Sequence, residues 1–245
     1  MRKGYLFHAR GWMYMSTDIF EQLGIMQLSD SFFPSGLYAT SNGLEILIHD
    51  RKIKTADELC DLIKVFIKQQ IGPADCVALC STYDFIAKND FEKIIKTDQI
   101  LYSMKLIKEI RETSTRSGIQ LIKCIQSFKD EKFLKLYSDS IVKGDCTGVY
   151  PVCFAIAANS LGVKKEQAAT MLLYSFTVGM VGAALRMGII EHFEAQKIID
   201  KLKNEIADTV QKNINRNISE MWQFAPEIDI IQISHEKLAE KMFIT

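Results

Sequence analysis

Histidine is scarce in this sequence, and its few copies are not spaced for metal chemistry. The four histidines, at positions 8, 49, 192 and 235, form neither a His-x-x-x-His nor a Glu-x-x-His pair. A helical catalytic zinc site and a carboxylate-bridged di-iron site therefore lose their usual ligands. The sequence also has no Gly-x-x-x-x-Gly-Lys-Ser/Thr loop for nucleotide phosphates and no serine nucleophile elbow. These absences favour a binding function over catalysis.

Neither sign of charge is in excess, because 30 basic residues balance 30 acidic ones. This balance disfavours a basic nucleic-acid binder. The first fifteen residues begin with a basic pair, but His8, Arg10 and Gly11 interrupt the apolar run that a signal peptide needs. We therefore expect a cytoplasmic protein with a loose N-terminal extension at residues 1–15 and a single helical domain at residues 16–245.

The six cysteines include no Cys-x-x-Cys pair, and none has a histidine close by in sequence. In a large chain without an export signal, such cysteines are expected to be reduced core residues. Cys76 and Cys80 share a helix face beside Asp75, so a soft metal is the alternative there. Buried thiols are the favoured interpretation, because two sulfurs alone do not complete the usual four-ligand structural site.

Proline is also rare, with four copies, so long stretches are free to run as helix. Thr55 and Glu58 have capping-box spacing and precede apolar residues at helical intervals. Gly72 is predicted to end this helix, and Pro73 to lie in the first turn of the next. No run alternates apolar and polar residues as a strand would. We predict an all-α, single-domain helical bundle of about nine or ten helices.

The most apolar region, residues 146–185, has two interpretations. Each half approaches the ~18 uncharged residues of a membrane-spanning helix, so a membrane hairpin is one of them. Two buried central helices are favoured instead, because polar and small residues lower the hydropathy and core helices are also apolar all round. Ser175, Gly179 and Ala183 recur every four residues, which suits close helix packing, a dimer interface or a lined passage. Spacing alone leaves these three open.

Several segments of the chain strongly resemble the urease accessory protein F (UreF) family. They are LSDSFFPSGLYATSNGLE at 28–45, RETSTRSGIQLI at 111–122, GVYPVCFAIAANSLGV at 148–163 and APEIDIIQISHEKLAEKMF at 225–243, with Arg186 and Gln196 bracketing a fifth. They follow the family's order and cover nearly the whole chain from about Ile19 onward. The chain departs from the family pattern at residues 189–192, at Val149 and Tyr150, and at Lys241.

The resemblance implies a non-catalytic, dimeric protein that bridges a D/H-type urease accessory protein and a G-type GTPase. The assembly would regulate GTP hydrolysis and insert nickel into apo-urease. Nickel and GTP would be handled by the partner proteins, with no cofactor bound stably by this chain, no nucleic acid and no membrane. The alternatives are a helical enzyme with a cofactor pocket between the apolar helices, and a membrane protein using the 146–185 hairpin.

The resemblance also implies which residues bind partners. They are Phe32, Phe33, Pro34, Gly36, Tyr38, Glu45, Arg186, Gln196, His235, Glu236, Lys237, Lys241 and Phe243. The aromatic residues of the 28–45 loop suit a core position as well as a partner contact. Pro34 and Gly36 would form a rigid turn, Ser41 would cap the second helix, and Glu45 would lie in that helix's first turn.

Three assignments near the end of the chain keep two interpretations. The C-terminal tail either orders on the D/H-type partner or ends in a surface helix that packs on its own domain, and the resemblance favours the partner. Arg186 either caps the last carbonyls of its helix or pairs with a carboxylate such as Glu191, or else it faces the GTPase. His235 either belongs to the partner-binding tail or serves as a nickel relay ligand.

Overall fold

The computed structural model describes residues 19–30, 33–34, 40–236 and 241–245, and most of these residues are helical. Residues 19–29 form α1. The other α-helices are α2 (Leu44–His49), α3 (Ala56–Phe66), α4 (Val77–Ala87), α5 (Phe91–Met104), α6 (Lys108–Gln126), α7 (Lys132–Lys143), α8 (Tyr150–Ser160), α9 (Lys165–Arg186), α10 (His192–Asn213) and α11 (Pro226–Glu236). Within the described residues all regular structure is helical, which confirms the predicted all-α class. The predicted extension at residues 1–15 lies outside them.

The capping box predicted at the start of α3 is confirmed. The amide of Glu58 donates to the Thr55 hydroxyl at 3.3 Å, and the Glu58 carboxylate accepts from the Thr55 amide at 3.0 Å. Leu59, Ile63 and Phe66 then turn inward and are fully buried or nearly so. Local sequence chemistry thus sets both the beginning of this helix and the face that it buries.

The predicted break at Gly72 and Pro73 is wrong, because a π-helical segment, Ile67–Cys76, joins α3 to α4 without interruption. Pro73 has no backbone N–H to donate to an earlier carbonyl of this segment, and the backbone carbonyls of Gln69 and Pro73 accept bonds from another segment. They accept the amides of Phe224 at 2.9 Å and Trp222 at 3.3 Å. Pro73, which would end an ordinary helix, thus lies where residues 222–224 bind to the π-helical segment.

The two apolar segments predicted as central helices form α8 and α9. Residues 151–158 of α8 are all buried, and its eleven residues span only about 17 Å, too short to cross a membrane. In the described part of the chain, α9 is the one helix long and apolar enough to span a bilayer, and 56% of its most apolar window is buried inside the protein. A hairpin needs two spanning helices, so the short α8 removes the support for the predicted alternative of a membrane hairpin.

A buried carboxylate fixes the loop that leads into α8. Asp98 of α5 is completely buried and accepts hydrogen bonds from the Tyr137 hydroxyl at 2.6 Å and from both the amide and the hydroxyl of Thr147. It also accepts the amides of Gly148 and Val149, at 3.0 and 2.8 Å. Burial and the adjacent negative charges raise the pKa of Tyr137 well above its usual value, so its hydroxyl remains a donor. One side chain thereby ties α5, α7 and α8 together.

All six cysteines are free thiols, and five of them are buried, as predicted for reduced core residues. Burial, with help from Asp98, raises the pKa of Cys146 to about 12. Next to Cys76, the Asp75 carboxylate pairs with the Lys105 ammonium at 2.7 Å. Across the described ranges no cluster of three or more His, Cys, Asp or Glu residues is suited to hold a metal ion. The Cys76–Cys80 pair thus has no third ligand there.

Candidate functional site

The candidate site forms where the last residues of the chain meet the beginnings of α2 and α6. Six residues predicted as partner-binding come together here: Glu45, Arg186, His235, Glu236, Lys241 and Phe243. We call residues 241–245 the C-terminal tail, and the charged group of Glu45, Glu109, His235 and Lys241 the clasp. Glu109 was not predicted, because nothing in its local sequence distinguishes it from other glutamates in first helical turns.

His235 lies at the centre of the clasp with its side chain only 1% exposed. Its Nε2 atom is 3.1 Å from a carboxylate oxygen of Glu45, and its Nδ1 atom is 2.8 Å from one of Glu109. The Lys241 ammonium donates to the other Glu109 oxygen. Because both ring nitrogens face carboxylates of the same chain, neither is free for nickel, and the idea of His235 as a relay ligand loses support.

The Glu45 carboxylate connects the clasp to the backbone of the tail. It accepts the amide of Met242 at 2.8 Å and that of Phe243 at 3.3 Å. Burial acts to raise the pKa of Glu45, but the amide of Met242, the His235 ring and the amide of Phe243 together outweigh it and lower that pKa. The pKa of Glu109 is likewise lowered, since hydrogen bonds from Lys241 and His235 outweigh the effect of burial. Both glutamates are therefore held ionised.

Aromatic and backbone contacts complete the docking of the tail. The Arg186 guanidinium stacks over the Phe243 ring at 4.6 Å, and its Nε atom donates to the Gly182 carbonyl of its own last turn. Phe243 is 4% exposed and Thr245 is 2% exposed. The tail therefore packs on its own chain in this conformation. This agrees with the second of the two predicted interpretations, whereas the resemblance favoured a tail that orders on the partner. Whether it also contacts a partner stays a prediction.

Ser41 does not cap α2, contrary to prediction. Gly43 occupies the N-cap position with a left-handed backbone and provides no side-chain cap. The amide and the hydroxyl of Ser41 instead both donate to the carbonyl of Thr245. Glu45 lies in the first turn of α2 as expected. Ser41, which was predicted to cap α2, thus binds the backbone of Thr245 instead.

Glu236 provides a cap to a helix other than its own. The first turn of α6 has no side-chain cap from its preceding residue, Ile107. A carboxylate oxygen of Glu236 accepts the amide of Glu109 at 3.0 Å, which satisfies one of the free donors at that helix end and places negative charge near its positive pole. The end of α11 is thus connected to the beginning of α6.

Of the other predicted partner-binding residues, the structure describes Phe33, Pro34 and Gln196. Phe33 is half-buried against the core, and Pro34 is exposed. Gln196 is exposed on α10. Phe32, Gly36, Tyr38 and Lys237 fall outside the described residues. The partner contacts predicted for all of these remain predictions.

A cleft of about 120 Å³ lies beneath the tail. Its polar wall includes the paired Asp75 and Lys105, Ser175 of α9 and Thr245 of the tail. Gly179 also lines it, and a Cβ added there would meet no atom within 4 Å, so this part of the predicted small-residue stripe does not pack closely. The charges of Asp75 and Lys105 neutralise each other, and the described lining contains no histidine or cysteine to act as base or nucleophile.

Acidification is expected to release the tail. Because the pKa values of Glu45 and Glu109 are lowered from 4.5 in the docked state, their contribution to docking is present above about pH 4.5 and is lost as the pH falls through the lower docked values. Amide hydrogen exchange of residues 241–245, corrected with an unstructured peptide of the same sequence, measures this from about pH 6 to about pH 3. Equal protection at both ends of that range would contradict it.

The fold and the site define an all-helical protein whose charged groups join remote segments of its own chain. A family model described as UreF matches residues 53–203, more than half of the chain. "Urease accessory protein UreF" of Trichodesmium erythraeum (strain IMS101) is 34% identical over 94% of this chain and 99% of its own length. Proteins of the same name from Bacillus sp. (strain TB-90) and Actinobacillus pleuropneumoniae serotype 5b (strain L20) are 26% and 24% identical, each over 91% of this chain and 98% and 99% of their own lengths. The chain belongs to the UreF family of urease accessory proteins.

Proposed function

We propose that this chain is a non-catalytic, cytoplasmic scaffold in urease maturation. It bridges a D/H-type accessory protein and the G-type GTPase as a homodimer, regulates GTP hydrolysis and promotes nickel insertion into apo-urease. The nickel ion is the cargo of this assembly and GTP is the substrate of the partner. Family membership supports the general role, and the finer assignment rests on the arrangement of the site.

The observation that carries this proposal is the convergence of family segments on one surface. Glu45 comes from the 28–45 segment, and His235 and Phe243 come from the 225–243 segment. Arg186 joins them from the end of α9. Because these residues hold the tail against α2, α6 and α9, they give the surface around the tail a fixed shape, which suits binding of a protein.

Co-purification of the full chain with its host's D/H-type and G-type accessory proteins, with and without GTP and nickel, tests the proposal. We expect a complex of defined mass that contains two copies of this chain. Replacing Phe243 with alanine removes the ring under Arg186 without changing any charge, so it is expected to reduce recovery of the complex at least tenfold. Failure of the wild-type chain to bind either partner would refute the scaffold.

Val142→Ala is the matched control, because Val142 is 85% exposed on α7. Its complex should be recovered as well as that of the wild type. If the complex forms equally well with Phe243→Ala, the scaffold proposal stands, but the docked tail is not part of the binding surface. Arg186→Ala then separates two roles, since loss of GTP hydrolysis without loss of the complex would place Arg186 at the GTPase.

A further inference from the structure

The cleft beneath the tail contains an ion pair whose hydrogen-bonding capacity is only partly used. Asp75 of the π-helical segment and Lys105, which follows α5, pair at 2.7 Å, and each side chain is only 8% exposed. An ammonium and a carboxylate can each make several hydrogen bonds. In the described part of the chain, the two charged groups share one, from the Lys105 Nζ atom to an oxygen of Asp75. Donors of Lys105 and the second oxygen of Asp75 are therefore left for another group.

A hydroxyl in the same cleft also needs a partner. The Oγ1 atom of Thr245 is buried without a hydrogen-bond partner, and Thr245 lines the cleft together with the ion pair. Ser175 of α9 adds a second hydroxyl to the lining. Buried polar atoms of native proteins are nearly always hydrogen-bonded, to protein or to a bound molecule. The partner of the Thr245 hydroxyl is therefore expected to lie inside the cleft.

Size and apolar lining restrict what the cleft can hold. An apolar cavity of about 150 Å³ binds one benzene molecule, so the volume of about 120 Å³ here suits a ligand of about five non-hydrogen atoms. Apolar side chains supply another part of the lining. They are Ile71, Ile110, Leu172 and Phe176. A ligand that satisfies both kinds of lining has one polar end and a short hydrocarbon part.

The paired charges select the polar end of the ligand. A carboxylate ligand would bring a second negative charge to Asp75, and an ammonium ligand would bring a second positive charge to Lys105, and both contacts are unfavourable in a buried site. A neutral primary amide avoids both, because it has a carbonyl acceptor beside its N–H donors. It can accept from Lys105 and donate to Asp75 at the same time.

We propose that this cleft binds a small neutral molecule with a primary amide group. The amide oxygen accepts from the Lys105 ammonium, and one amide N–H donates to the second oxygen of Asp75. The Thr245 hydroxyl accepts from the other N–H, and the hydrocarbon part packs against Ile71 and Ile110. Binding requires no partner protein, so this inference stands or falls separately from the scaffold function.

A titration of the full chain with propionamide, which has the proposed size, tests the inference. The isoleucine methyl groups are labelled with ¹³C and observed by NMR. The methyl signals of Ile71 and Ile110 should shift and saturate with a Kd of about 1 mM, because so small a ligand makes few contacts. Ile94, which is buried on α5 outside the described lining, should not shift. No saturable shift of Ile71 and Ile110 up to about 20 mM propionamide would overturn the proposal.

Propionate tests the chemistry of the polar end. It has nearly the same shape as propionamide, but it has no N–H donor and carries the same charge as Asp75. We expect it to bind at least about tenfold more weakly. Equal affinities of the two compounds would refute the assignment of an amide ligand.

A pair of glycine substitutions on α9 tests the location. Gly179 lines the cleft and Gly182 lies outside its described lining, and a Cβ at either position would meet no atom within 4 Å. Gly179→Leu should fill the cleft and weaken propionamide binding at least about tenfold, whereas the matched control Gly182→Leu should bind as the wild type. An unchanged Ile94 methyl signal verifies that each variant is folded. Undiminished binding by folded Gly179→Leu would place the ligand elsewhere and refute the site.

Discussion

Replacing Asp98 with alanine is expected to lower the free energy of unfolding by about 3 to 5 kcal/mol. The carboxylate accepts five hydrogen bonds, from the Tyr137 hydroxyl, two groups of Thr147 and the amides of Gly148 and Val149. Alanine would leave these donors without an acceptor in a site that has no exposure to water. Urea unfolding followed by far-UV circular dichroism measures the change.

Two further variants show whether the loss of stability comes from removing a buried acceptor or only from removing a negative charge. Asp139→Ala removes an exposed carboxylate from α7 and should change stability by less than about 0.5 kcal/mol. Tyr137→Phe removes a single donor to Asp98 and should cost about 1 to 2 kcal/mol. If Asp98→Ala destabilised the chain no more than Asp139→Ala, the carboxylate would not organise the loop before α8.

Replacing Gly118 with alanine is expected to destabilise the chain by about 3 kcal/mol. A Cβ atom at this position would lie 2.2 Å from the Gly148 carbonyl oxygen and 2.8 Å from the Cys153 sulfur. The carbonyl belongs to the backbone segment held by Asp98, so it cannot rotate aside. The α6 and α8 helices would have to separate, which opens the core at its centre.

Gly182→Ala is the matched control, since Gly182 also lies inside a helix but a Cβ there would meet no atom within 4 Å. Alanine is the better helix former, so this change should stabilise α9 by about 0.5 to 1 kcal/mol. Thermal unfolding of the two variants compares them directly. Equal effects would show that helix propensity, and not the close approach of α6 to α8, decides the cost at Gly118.

The helical class could be predicted from the sequence because its signals are local. The capping box of Thr55 and Glu58 and the apolar positions after it depend only on neighbours within a few turns. Pro151 likewise lies at the first turn of α8. The run of apolar residues that follows correctly indicated a core helix, because an all-round apolar helix must be covered on every face.

Local rules failed where a distant segment changed the outcome. Gly72 and Pro73 have the composition of a helix break, but α10 packs closely on Gly72, where a Cβ would lie 2.4 Å from a side-chain carbon of Thr209. Residues 222–224 then bind the carbonyls that the π-helical segment leaves free. Ser41 has the composition of a helix cap, but its hydroxyl bonds to the last residue of the chain.

The sequence by itself determined that this protein is all-helical, which segments form its core and which family its motifs resemble, because periodicity, caps and motif order are properties of neighbouring residues. Only the tertiary structure decided that His235 lies between Glu45 and Glu109. These glutamates are 190 and 126 residues away from it along the chain. No local preference relates residues so far apart. Their contact follows from the packing of α2, α6 and α11 around one core, which brings two carboxylates to one imidazole ring.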